Sequence, residues 1–326
     1  MKIHSVKFNF IMNFIMSASS IVFPLITFPY ISRVLMATGN GKVATASAVI
    51  TYFNMFASLG IPTYGIRACA KVRDDKEKLS KTVQELLIIN SITMFLTCIV
   101  FVVTVASVPE FAAEKELYII NGIGMVLNMF AITWLYNALE QYAYITVCNM
   151  VVKLLSLVLM FLLVHNPEDY IVYGGITVFA SSASYVFNFV YATKFVSFKK
   201  SGTYDFRIHI KPILRFFAMA AATSVYTNLD VVMLRFMQGN TEVGYYNAAI
   251  KVKTILVTLI TSLGTVLLPR LSYYIKKEKT EDFYRMSMYS PASALFMLRT
   301  AQNLPHMLQV SLWSSSGRRA SRMAFA

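Results

Sequence analysis

The chain has 326 residues, of which 56% are hydrophobic and 14% charged, with a mean hydropathy of +0.56. A soluble domain carries about a quarter charged residues, so this composition excludes an ordinary soluble enzyme and indicates an integral membrane protein. The net charge of +14 falls between apolar runs, which favours membrane orientation over nucleic-acid binding; no nucleic-acid partner is expected.

A bilayer core takes about 20 apolar residues per helix. The apolar runs predict eight spans, at 10–33, 43–66, 85–107, 117–137, 144–164, 170–193, 213–236 and 244–268. The first is too long for the apolar part of a signal peptide and no small-residue cleavage site follows it, so it reads as a retained helix. Pro24 and Pro29 inside it are candidate hinge positions, because proline removes a backbone hydrogen bond and kinks a helix. The second span ends in "LGIPTYGIRACAKVRDDKEKLSK" (59–81), and nine of the fifteen residues from Lys71 to Glu85 are charged. With a cytoplasmic N-terminus, the inner segments hold 19 Lys and Arg against 4 outside. Cytoplasmic loops retain positive charge, which orients the chain and makes Arg67 and Arg270 cytoplasmic anchors. Residues 197–212 read as an interfacial linker. The basic and apolar residues of "SFKKSGTYDFRIHIKPILRF" (197–216) suit a strip on the inner membrane face, touching anionic headgroups.

Gly41 to Arg67 and Gly244 to Arg270 are windows of equal length offset by 203 residues, each with a late Ser-Leu-Gly. An offset of six helices fits a parallel repeat. The expected organisation is a six-helix bundle at 1–196, the linker at 197–212 and a partial second bundle at 213–288. After Met288 there is no apolar run long enough to span. All four basic residues there are Arg, whereas the preceding chain has 18 Lys and 8 Arg. Residues 289–326 therefore read as an atypical tail, expected from a frameshift or a shortened gene.

Polar residues within the spans are the functional candidates. Asn13, Ser17, Ser20 and Thr27 share one face of the first helix, and Gly244, Asn247, Lys251, Thr254, Thr258 and Thr261 share one face of the eighth. Such stripes face a watery lumen or pack helices through small and hydroxyl residues. A charge at mid-membrane costs about 2.5–3.5 kcal/mol on insertion scales and lines a path or finds a partner. The ranking is Lys251, then Asp230, then Lys153, with Lys253 as a snorkelling or packing residue. Glu140 near the cytoplasmic mouth is either a ligand or an interfacial carboxylate. Arg33 and Arg235 at the outer ends are either anchors or ligands.

Enzymatic signatures are missing. "ATGNGKVATA" (37–46) has Met36 where a phosphate loop needs its first glycine, and Val43 follows the lysine. Cys69, Cys98 and Cys148, like His4, His165, His209 and His306, are scattered without metal spacing. The chain is read as a non-enzyme without cofactor or metal.

"PYISRVL" (29–35), "SLGIPTYGIRACAKVRDDKEKLSK" (58–81), "WLYNALEQYAYIT" (134–146) and "NLDVVMLRFMQGNTEVGYYNAAIKV" (228–252) resemble the bacterial polysaccharide repeat-unit flippases. These are the O-antigen and capsule translocases of the Wzx type, in the multidrug, oligosaccharidyl-lipid and polysaccharide exporter superfamily. The resemblance covers roughly residues 8 to 288. It implies an all-α polytopic protein of the bacterial cytoplasmic (inner) membrane, with two bundles around a cavity. It also implies transfer of an undecaprenyl-diphosphate-linked oligosaccharide from the inner to the outer leaflet, among membrane lipids and other polysaccharide assembly proteins. On that reading Lys251, Asp230, Lys153, Glu140, Asn247, Asn13, Ser17 and Arg33 are substrate contacts. The chain departs from the family at Met36, where members often have glycine, and in lacking the last helices. Rival readings are a drug or cation exporter of the same superfamily, a membrane polysaccharide polymerase and an inactive remnant.

Overall fold

The computed structural model describes residues 6–199, 203–254 and 257. Arg270, most of the expected eighth span and the tail lie outside the described residues, as do the side chains of Asn13 and Ser17. The described chain is helical, without strands. It comprises α1 (Val6–Val34), α2 (Met36–Ser58), α3 (Ile61–Lys71), α4 (Lys76–Ser107), the one-turn α5 (Pro109–Ala112), α6 (Lys115–Leu127), α7 (Thr133–Ala138), α8 (Tyr142–Leu163), α9 (Tyr170–Ala192) and α10 (Arg207–Met237). A further helix, α11, covers 240–254.

Among the described residues, six stretches are long and apolar enough to cross a bilayer: Met36–Lys71, Lys76–Ser107, Lys115–Ala138, Tyr142–Leu163, Pro167–Ala192 and Arg207–Met237. They match the second to seventh expected spans, and α1 matches the first. The protein is therefore an all-α, multi-pass membrane protein. α10 starts at Arg207, so residues 207–212 of the expected linker are already helical. Pro212, the sixth residue of this helix, lacks the N–H that would bond the Ile208 carbonyl.

Two spans are interrupted, and each break has a local cause. The second is divided between α2 and α3 by Leu59 and Gly60, whose φ values are +44° and +75°. A Cβ on Gly60 would lie 2.5 Å from the Phe217 nitrogen, so only glycine permits this approach to α10. The hydroxyl of Thr93 donates to the freed Ala57 carbonyl at 2.6 Å, as a backbone group away from water requires. The fourth span breaks between α6 and α7, passing through a 3-10 turn at Asn128–Phe130. There Asn128 donates to the Asn54 side chain at 3.0 Å and Asn90 to the Met129 carbonyl at 3.5 Å. Asn90 thus solvates exposed backbone at the break, and Asn128 and Asn54 satisfy each other beside it.

Side-chain contacts define two ends. At the basic end, the Oδ1 of Asp75 accepts the Glu77 and Lys78 backbone N–H groups at 3.1 Å and starts α4 as its N-cap. At the opposite end, Lys42 pairs with Glu114 at 2.6 Å, and the Tyr170 hydroxyl donates to the same carboxylate at 2.7 Å. The chain divides into two compact units, cut at Phe23/Pro24, Phe28/Pro29 and Gly244/Tyr245. Both cuts in α1 fall at its two prolines, although the helix runs through them without interruption.

Candidate functional site

α1 and α8 lie side by side and run in the same direction. Met12, Met16, Ser19, Ser20 and Phe23 repeat at helical spacing along one face of α1, and Thr146, Asn149 and Lys153 do so along α8. The Thr146 hydroxyl donates to the Met12 carbonyl at 3.2 Å. Asn149 meets the Met16 sulfur at 3.9 Å. Further along, the Tyr30 hydroxyl donates to the Val164 carbonyl at 2.7 Å, with the Tyr30 and Phe161 rings edge to face.

Lys153 occupies the middle of this seam. Its ammonium donates to the Ser19 hydroxyl at 3.0 Å and the Ser20 hydroxyl at 3.2 Å. It also sits 5.7 Å from the centre of the Phe23 ring. Both serines donate onward to the Met16 carbonyl, which leaves their lone pairs free for the lysine. Among the described residues no carboxylate pairs with Lys153. The ammonium is solvated by neutral dipoles and a ring face, so its charge is uncompensated. Such a cation at mid-membrane attracts an anionic group. Lys153 and Ser20 are legible in the sequence. Ser19 and Phe23 are not, because which face of α1 meets α8 is a property of packing.

The other candidates fall elsewhere. Glu140 forms an ion pair with Arg73 at 2.9 Å, the side chains being 42% and 38% exposed. It has φ +56° just after α7, lies at the basic end and is not grouped with Lys153. Asp230 is exposed on α10, and the buried hydroxyl of Tyr52 on α2 has no hydrogen-bond partner among the described residues. Arg33 is exposed in the last turn of α1. Arg67 is exposed at the basic end, with its guanidinium 4.9 Å from the Phe216 ring centre. Asn247 and Lys251 belong to the second unit, as does Pro24. On α11 Lys251 is exposed, while Asn247 and Lys253 are half-buried.

The structure also holds a polar cluster that the sequence did not reveal. The Glu85 carboxylate, 2% exposed, meets His209 Nε2 at 2.9 Å, and the Tyr64 hydroxyl lies 2.8 Å from His209 Nδ1. Glu85 lies within the charge run and His209 among scattered histidines, 124 residues apart. No local pattern links them.

Residues 6–275 match the family model described as "Polysaccharide biosynthesis protein". A protein of Shigella dysenteriae named "Putative O-antigen transporter" is 26% identical over 293 residues, covering 89% of this chain and 72% of its own. A protein of the same name from Escherichia coli (strain K12) is 26% identical over 275 residues, covering 82% of this chain and 65% of its own. No solved structure matches the chain.

Proposed function

The chain belongs to the polysaccharide biosynthesis protein family, and from that premise we propose that it carries lipid-linked oligosaccharide repeat units across the bacterial cytoplasmic membrane, from the inner to the outer leaflet. The names of the two O-antigen relatives support this reading. Its physical support is Lys153, a mid-span ammonium with two hydroxyl partners and, among the described residues, no carboxylate partner. A lipid-linked sugar presents a diphosphate, which a cation recognises, and hydroxyls, which serine and asparagine recognise. The lipid tail stays in the bilayer, so only the head needs polar partners. An uncompensated cation repels cationic drugs, which weighs against the exporter alternative.

The 19 to 4 distribution of Lys and Arg supports a cytoplasmic N-terminus. The membrane potential then favours export of an anion by about 2.3 kcal/mol per charge at 100 mV. Asp230, Asn247, Lys251, Asn13, Ser17 and Arg33 are proposed substrate contacts on chemical grounds alone. The six-helix first bundle, partial second bundle and parallel repeat are retained as the proposed organisation, and other polysaccharide assembly proteins as proposed partners.

Complementation tests this assignment. A strain lacking its own repeat-unit flippase receives the chain, Lys153→Met, Lys153→Arg or Lys251→Ala. The parent and Lys153→Arg should restore surface polymer, and Lys153→Met should lower it at least tenfold. Equal restoration by Lys153→Met would remove Lys153 from the site. Failure of the parent, at normal membrane abundance, would count against the function itself.

A further inference from the structure

The segment leading into α10 is fastened to the start of α4 through three side chains. Ser80 accepts the Ser197 backbone N–H at 2.9 Å. Gln84 donates to the Ser197 carbonyl at 2.5 Å and the Lys199 carbonyl at 2.9 Å, and accepts from the Tyr204 hydroxyl at 2.8 Å. Glu85 accepts the Asp205 backbone N–H at 2.7 Å through the oxygen that does not face His209. Four and five residues beyond Ser80, Gln84 and Glu85 extend the same side of α4.

The first turn of α10 is held in the same place. His209 is 3% exposed and both its ring nitrogens are partnered, by Glu85 on α4 and Tyr64 on α3. Ile213, one turn on, is buried in the apolar cluster of α3, α4 and α7. Tyr64 and Arg67 of α3 bracket the Phe216 ring, and Gly60 admits the backbone at Phe217. Lys81 approaches Glu85 only to 3.9 Å. A buried carboxylate that loses its imidazole is left with one backbone N–H and a distant ammonium, and half-satisfied buried networks are unfavourable. The contacts share Glu85 and His209, so the loss of one weakens the others.

We propose that Tyr64, Glu85 and His209 form a latch that holds α10 and the segment before it against α3 and α4. Its release lets α10 swing from α3 at the basic end while the far end of α10 stays attached. The latch rests on the transport reading for its purpose, and its test does not depend on sugar transport.

Hydrogen exchange on the full chain in lipid vesicles tests it, comparing the parent with His209→Ala, Glu85→Ala and Tyr64→Phe. Peptides over 196–210 should exchange at least tenfold faster in both alanine variants and by a smaller factor in Tyr64→Phe. Peptides in α6 and α9 should keep their rates. An oxidised Thr38→Cys/Thr241→Cys pair should form as fully in the alanine variants as in the parent. Unchanged exchange over 196–210 would overturn the latch. So would a uniform rise across α6, α9 and 196–210 with loss of the cross-link, since the cluster would then support the whole fold. A parent chain that moves no sugar while 196–210 responds as expected would sink the transport reading and leave the latch standing.

Discussion

The hydroxyls of Thr38 and Thr241 meet at 2.9 Å across a separation of 203 residues. The same offset relates Gly41 to Gly244, and the two glycines make reciprocal contacts. A Cβ on Gly41 would lie 1.7 Å from the Asn240 carbonyl oxygen, and one on Gly244 would lie 1.9 Å from that of Ala37; Ala37 and Asn240 are again 203 apart. α1 ends at Val34 and α10 at Met237, also 203 apart. Positions 203 apart thus make reciprocal contacts, with small residues admitting the backbones, as in helix contacts within lipid.

This contact predicts a cross-link. With Cys69, Cys98 and Cys148 replaced by alanine, Thr38→Cys/Thr241→Cys should oxidise to an intramolecular disulfide in membranes, read as a reducible mobility shift. Complementation by the oxidised form should fall at least tenfold and recover on reduction. If no disulfide forms under strong oxidant, the packing of α2 on the start of α11 is wrong.

Gly41→Leu and Gly244→Leu should each force the backbones apart, because the added atoms meet carbonyl groups and not flexible side chains. The expected reading is loss of that disulfide in the triple-alanine background. Retention of the cross-link in both leucine variants would contradict the close approach.

Met36 has φ +56°, and its equivalent 203 residues on, Gly239, has φ +106°. A bulky residue in the left-handed region carries strain of order 1–3 kcal/mol, which glycine does not. Met36→Gly should therefore stabilise the protein by about 1 kcal/mol and Gly239→Ala destabilise it by at least about that much. Thermal unfolding in detergent measures both; a lower midpoint for Met36→Gly would refute the strain.

Replacing Glu140 with glycine removes an exposed pair worth about 0–1 kcal/mol and adds about 0.5–1 kcal/mol of backbone entropy cost, which together offset the relief of left-handed strain of order 1–3 kcal/mol. Stability and complementation by Glu140→Gly should stay close to the parent. A tenfold loss of complementation at normal abundance would instead mark Glu140 as a substrate contact.

Spans and the basic end were legible in the sequence because they depend on local quantities: runs of apolar residues matched to bilayer thickness, and the sidedness of Lys and Arg. Lys153 was legible as a charge in an oily segment, and Met36 as an unusual residue at a turn. Tertiary structure decided the partners. It chose Ser19 beside Ser20 for Lys153, turned Glu140 to Arg73, and brought His209 to Glu85 from 124 residues away. Hydropathy reports where the chain meets lipid. It does not report which polar groups meet once water is excluded, because that follows from the rotation and register of packed helices.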